Sequence, residues 1–456
     1  MSFATFLHTV RSLVLPLTVT LCGAGIAGAQ QQGTPPVYTL EQCLRIANER
    51  NIDIRVADAS TQAAAAGLTA AFGNYLPGAT INANYNRQLT NLRPQLQFIN
   101  GIPVPGEPLP NNYSLQAAVR WTLFDGFRRE GTYDQAKTTV DAADLNGRAQ
   151  RMQTSMDVRR QFIAVLRAMQ VVKTRSENIE LGRQTLERVR AGQAAGRQPI
   201  TAVYSQEADL GAQEFELVRA ENDLDLAKAQ LLAIMGLDPN TPAEFTESSL
   251  PASITPEEIR AYRDSLGSED ACVTRALTSR PDIVAAEQRI RAAEAGVTIA
   301  RSGYFPTVTA STGYTWNNSE ISNFDNQGQM SVGVNLSVPV FDQFRTNQQI
   351  ESAVLQQVQR RAERQRLEQQ VRQSVQSALL SLAAAEKQLD ITGRALTSAE
   401  LNDAAARDRY AAGAATQFDV LQANTQMITS RINRITALYT YYDARVMAEF
   451  AAGTLD

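Results

Sequence analysis

Residues 113–123 read YSLQAAVRWTL. Successive side chains of an extended strand point to opposite faces. Tyr113, Leu115, Ala117, Val119, Trp121 and Leu123 therefore share one face, and Ser114, Gln116, Ala118, Arg120 and Thr122 the other. The runs at 330–340 (MSVGVNLSVPV), 307–316 (TVTASTGYTW) and 80–86 (TINANYN) alternate in the same way. Such segments, apolar on one face and small and polar on the other, suit strands with lipid on one side and water on the other. A soluble sandwich would use the same pattern, but only two hairpins exist, and a long helical stretch separates them. No further strands are available to cover the apolar face. Four strands also fall short of the roughly eight that close the smallest barrel, and unpaired edges are not tolerated in lipid. Several copies must therefore share one barrel, with lipid as its solvent; periodicity does not fix their number. Trp121 and Trp316 lie near opposite ends of the runs, as residues of two aromatic girdles would.

Working outward, the strands belong to a duplicated unit. An offset of 229 lays residues 43–85 over 272–314 without a gap, matching Cys43 to Cys272, Tyr75 to Tyr304 and Pro77 to Pro306. Farther on the offset is 217, matching Phe124, Asp125 and Phe127 to Phe341, Asp342 and Phe344, and Gly196 and Gly236 to Gly413 and Gly453. The first copy thus carries an enlarged loop between residues 86 and 113, whose five prolines mark an exposed segment.

The expected organisation is a signal peptide at 1–29, a first repeat at 30–236 with its hairpin at 79–124, and a Pro-rich connector at 237–268. A second repeat follows at 269–456, with its hairpin at 307–341. Each repeat opens with an Ala-rich helix, about 40–72 and 271–301. Pro77 and Pro306 stop these helices and extend the residues before them. Each hairpin is followed by a helix of more than 60 residues, from Phe127 and from Phe344, then a Gly-containing turn and a second helix. The long helices are rich in Gln, Arg, Glu and Ala, with sparse apolar residues, so each packs along a narrow seam and leaves its other faces wet. Asp125 and Asp342, at the strand-to-helix turns, are placed to cap the first helical amides.

Composition narrows the function. A formal charge of −4 leaves no basic footprint for nucleic acid, and a mean hydropathy of −0.25 excludes a bundle of membrane helices. The single long apolar stretch, Leu13 to Ile26 ahead of Ala27-Gly28-Ala29, reads as a secretory signal; Leu21 is too large for lipoprotein processing at Cys22. Removing it takes away His8, the only histidine, so no imidazole is expected for acid–base chemistry or metal binding, and neither an enzyme nor a cofactor is expected. Cys43 and Cys272 occupy equivalent points of the two repeats; repeat-related positions around a tube should lie farther apart than the about 7 Å between Cα atoms that a disulfide allows, so both are expected as buried free thiols.

The segments YTLEQCLRIANERNIDIRVADAS (38–60) with Tyr75-Leu76-Pro77, its echo Tyr304-Phe305-Pro306, FDGF (124–127), FDQF (341–344) and RDRYAAGAATQFDVLQANTQ (407–426) together resemble the TolC-like outer-membrane efflux family over nearly the whole mature chain. The resemblance implies a homotrimer with a 12-stranded barrel in the outer membrane and a periplasmic α-barrel ringed by the connector. It implies an export duct for drugs or secreted polypeptides, powered by an inner-membrane pump or secretion ATPase through a periplasmic adaptor. The competing expectation is a coiled-coil scaffold without a channel. The family's adaptor-contact tips map to Ala195-Gly196-Arg197 and Ala412-Gly413-Ala414. Its periplasmic gate maps to Tyr410 and Asp419, while Ala415, Gln422 and Ala202 depart from its charged pattern. The first-copy counterparts of Tyr410 and Asp419 are Gln193 and Ala202, which assigns the gate to the second copy.

Overall fold

The computed structural model describes residues 36–90, 96–99, 101–105, 110–246, 251, 253–322 and 328–455. The expected signal peptide and Cys22 lie outside the described residues, as do parts of the 86–113 loop and of the connector.

Thr39 opens the fold with a capping box to Gln42, starting α1 (Leu40–Arg50) after the short strand β1 (Val37–Tyr38). The Ala-rich helix expected to run on to residue 72 breaks at Asn51. The Asn51 side chain accepts from the amides of Asp53 and Ile54 and starts α2 (Ile52–Gly73). The second copy breaks at the same level between α6 (Glu269–Ser279) and α7 (Pro281–Arg301), because Pro281 holds Arg280 extended. The breaks serve the ends of two other helices, α4 (Ile200–Ile234) and α9 (Gln417–Ala451). Asn51 Nδ2 donates to Ile234 O at 2.8 Å. Gly236 (φ 72°) lies so close to Arg50 that a Cβ would approach its carbonyl oxygen to 2.4 Å, and Gly453 (φ 70°) abuts Ser279 and Arg280 in the same way.

Strands β2 (Gly78–Arg87), β5 (Asn111–Phe124), β7 (Thr307–Asn318) and β8 (Gly328–Ser337) form one sheet in the order β2-β5-β7-β8, antiparallel throughout. Register puts Ile81 opposite Ala117, Leu115 opposite Trp316, and Ala310 opposite Val334, so the apolar halves of all four strands share one face. That face has no core behind it: Ile81, Met330 and Val332 are about three-quarters exposed. Inside the enlarged loop, β3 (Leu96–Ile99) and β4 (Ile102–Pro105) pair as a small hairpin where an irregular segment was expected, turned by Gly101 at φ 77°.

Helices α3 (Arg128–Ala194) and α8 (Arg345–Ala411) each run 67 residues, about 100 Å at 1.5 Å per residue. Toward the sheet the helices lie side by side as α2-α3-α7-α8, and beyond the breaks as α4-α3-α9-α8. Both series are single layers. Apolar residues are buried along the seams, and the main core collects at the level of the breaks, around Phe162, Leu231, Met235 and Tyr441. The connector is more ordered than its prolines suggest. It contributes β6 (Glu244–Phe245), paired with β1, and α5 (Pro256–Leu266), started by a Thr255–Glu258 capping box. Arg263 of α5 pairs with the buried Glu386 of α8, and Tyr262 stacks on Arg445, fastening α5 across α8 and α9.

Two sequence expectations about single residues need correction. Asp125 caps no helix: α3 starts from Phe127 without a side-chain cap, and Asp125 instead pairs with Arg129 at 3.3 Å. Asp342 does bind the first turn, accepting from Thr346 N at 2.8 Å. Trp316 shares the apolar face by register but is only 2 % exposed, so it is not open to lipid there as a girdle residue would be. Trp121 is 46 % exposed and donates Nε1–H to Tyr75 O at the sheet's helical end. Pro77 and Pro306 stand between the helix ends and the strands, and Phe305, before Pro306, is extended.

Candidate functional site

The two helical hairpins end far from the sheet, at residues 195–199 and 412–416. Helix α3 closes with Arg197 N donating to Gly192 O and Gly196 N to Gln193 O, and α8 with Ala414 N to Arg409 O and Gly413 N to Tyr410 O. These paired bonds form a Schellman motif, which needs a left-handed residue at its turn. Gly196 (φ 70°) and Gly413 (φ 74°) supply it. Nothing lies within 4 Å of where a Cβ would stand at either glycine, so both tips present bare backbone to solvent. Arg197 and Ala414 follow directly on these turns.

The hairpins then start their return helices differently. Thr416 and Asp419 form a capping box for α9, with Asp419 Oδ2 accepting from Thr416 N and Thr416 Oγ1 at 2.7 Å each. The Thr416 amide and hydroxyl hold the Asp419 carboxyl below the usual carboxylate range. In the first copy Ala202 stands at this place, and α4 begins from Pro199 with no side-chain cap. The contrast between Asp419 and Ala202 is thus a difference in helix capping.

The structure does not join Tyr410 to Asp419. Tyr410 reaches the other hairpin: Gln198 Nε2 donates to its hydroxyl oxygen at 2.6 Å. Two more amide contacts climb the seam between the hairpins, Gln417 Nε2 to Gln206 Oε1 at 3.1 Å and Asn424 Nδ2 to Asn178 Oδ1 at 3.3 Å. Gln206 and Asn178 are buried. Side branches brace the ladder: Asn178 donates to Gln213, Gln213 to Asp209, and Arg407 donates to Asn424 while pairing with the buried Asp403. Burial pushes the Asp209 carboxyl up, partly opposed by the Gln213 bond. The ladder borders a cleft of about 730 Å³ between the hairpins, lined by Arg188, Arg197, Asp209, Arg407 and Tyr410 among others. The three bonds across the seam near the tips are thus made by uncharged groups, whereas farther up Arg160 of α3 pairs with Asp443 of α9 at 2.7 Å. The resemblance implies charged partners at this end, and Gln198, Gln206, Gln417, Asn178 and Asn424 are not among them. No local pattern in the sequence sets these amides apart from the exposed ones.

Away from the seam, α4 and α8 each carry an exposed apolar stripe on the outer side of the layer. Tyr204, Phe215, Val218 and Leu226 mark one, and Leu380, Ile391 and Leu401 the other. The spacing fits a two-helix seam with no partner in this chain.

Residues 43–237 and 272–454 match the model of a family described as outer membrane efflux protein. The chain belongs to that family. The two matched segments are the two repeats, with the connector left between them. Outer membrane efflux protein BepC of Brucella suis biovar 1 is 25 % identical over 320 residues, 69 % of this chain and 66 % of its own length, so the chain spans just under two thirds of that relative. Outer membrane protein TolC of Salmonella enteritidis is 24 % identical over 456 residues, 97 % of this chain and 86 % of its own length. Among solved structures, the outer membrane protein VceC of Vibrio cholerae superposes with a TM-score of 0.73 at 19 % identity, covering 91 % of this chain and 96 % of that one. This is an outer-membrane protein whose helical part extends into the periplasm.

Proposed function

We propose that the protein is a passive export duct, three copies of which form one 12-stranded barrel and one helical tunnel. The observation that carries this reading is the four-stranded antiparallel sheet with an uncovered apolar face and two free edges, β2 and β8. With four alternating strands per copy, β8 of one copy runs antiparallel to β2 of the next, so a ring of copies closes without a parallel pair. The helical layer ends in the same register, with apolar stripes on α4 and α8 that a neighbouring copy would cover. In this reading the polar strand faces line the water-filled lumen, and drugs or secreted polypeptides pass without chemistry in the chain itself. An inner-membrane pump or secretion ATPase supplies the energy through a periplasmic adaptor, which docks at Gly196, Arg197, Gly413 and Ala414. Tyr410, held by Gln198, closes the periplasmic end, and Asp419 supports it by fixing the start of α9.

Membrane fractionation followed by denaturing gels with and without heating tests the reading. A band in the membrane fraction that runs as a resistant oligomer when unheated is expected. A chain that stays in the soluble fraction as a monomer would instead fit the coiled-coil scaffold.

A further inference from the structure

Where the first repeat meets the second within one chain, the contact is unusually close. Gly126 lies so near the turn that follows α7 that a Cβ there would stand 2.6 Å from Phe305 Cβ and 2.8 Å from Ser302 O. Beside it the Phe127 ring meets Phe305 edge-on at 6.1 Å, and Arg128 Nε donates to Ser302 Oγ at 3.0 Å. A turn residue with no side chain thus faces two larger ones, in the seam where β5 pairs with β7 and α3 packs on α7.

The repeat predicts a second version of this seam that one chain cannot complete. The counterparts of Gly126 and Phe127 are Gln343 and Phe344, at the junction of β8 and α8. The counterparts of Ser302 and Phe305 are Gly73 and Leu76, at the end of α2. In the chain these four lie on opposite free edges of the sheet and helix layer. Phe344 is 73 % exposed and Leu76 57 %, and nothing lies within 4 Å of a Cβ at Gly73. The substitutions compensate. Where the turn has glycine, the facing residues are Ser302 and Phe305; where it has Gln343, they are Gly73 and Leu76. Gln343 also keeps the left-handed backbone of its counterpart, at φ 60°, although a side chain there is strained, so the turn geometry is preserved while the space is redistributed.

We infer that Gln343 and Phe344 of one copy seat in a socket formed by Gly73 and Leu76 of a second copy. The inference rests on the duct reading and continues an interface already present within the chain. The socket also sorts the seams. Gln343 against Ser302 and Phe305 would clash, and Gly126 against Gly73 and Leu76 would leave a void, so repeats can only alternate around the ring.

Two measurements on the full chain test this. Leu76→Cys with Phe344→Cys, treated with a short bismaleimide, should give cross-linked dimers and trimers on denaturing gels, whereas either single variant should not. Phe127→Cys with Phe305→Cys should bridge only within a chain. Uncross-linked monomers from a sample whose unheated band is oligomeric would overturn the socket and leave the duct standing. A wild-type chain with no oligomeric band would overturn the duct first. In the second measurement, Leu76→Phe should lose most of the heat-resistant band, and adding Gln343→Gly should restore it. Leu76 is exposed in one copy, so the loss would report assembly and not folding. A neutral Leu76→Phe, or a loss that Gln343→Gly does not rescue, would overturn the proposal.

Discussion

Replacing Tyr410 with Phe removes one oxygen and leaves the ring, so it isolates the contact to Gln198. A neutral hydrogen bond of this kind contributes about 1 kcal/mol net, which changes the ratio of open to closed hairpin pairs about fivefold in each copy. If three copies open together, the effect is about 3 kcal/mol, or about 150-fold in that ratio. Open probability of single channels in planar bilayers measures it, starting from a wild type that is mostly closed. The ladder supplies its own control. Gln206→Leu alone leaves the Gln417 amide without its partner in a part-buried seam and costs about 1–3 kcal/mol, whereas Gln206→Leu with Gln417→Leu removes both polar groups and should be close to neutral. An open probability for Tyr410→Phe within about twofold of wild type would refute the ladder as the element that holds the hairpins together.

Asp419→Ala should fray the first turn of α9 and lower hydrogen-exchange protection around residue 419, with a smaller effect on open probability than Tyr410→Phe. A carboxyl held below its unfolded value stabilises the cap above the ordinary carboxylate range and fails only as pH falls through the lower folded value. Protection at this cap should accordingly be flat from neutral pH down to that range and drop below it. Gly236→Ala should lower the melting temperature of the oligomer band more than Gly196→Ala. Both add a left-handed penalty of about 1–2 kcal/mol, but only at Gly236 would the new Cβ strike a backbone carbonyl. Cys43 and Cys272 are both buried and unpaired with each other, and burial pushes the Cys43 thiol up to about 12. Mass spectrometry should find no alkylation of either in the native protein and two modifications after unfolding.

The strands were legible because their alternation is a local rule and the repeat supplied each one twice. Their joint register was not, since it depends on β5 meeting β7, a contact between residues some 200 positions apart. The helix breaks were legible in principle: Pro281 is an explicit stop, and Asn51 stands just before Ile52 and Asp53 as a capping residue should. What hid them is the apolar spacing, which continues across both breaks as though one helix ran through. At the tips, glycine positions and the departures at Ala415, Gln422 and Ala202 could be read directly. The amide ladder could not. Glutamine and asparagine carry no signature of burial, and only the tertiary seam shows that Gln206 is enclosed while Gln193 is not.

The two free edges of the sheet bear on biogenesis. A lone copy entering the bilayer would carry a row of unpaired backbone donors and acceptors along β2 and another along β8, each group costing several kcal/mol in hydrocarbon. A lone copy left in the periplasm would expose Met330, Val332 and their neighbours to water. Neither state is a comfortable resting point, so in the proposed duct the copies must find one another before or during insertion. Yield of the oligomer should then rise steeply with synthesis rate.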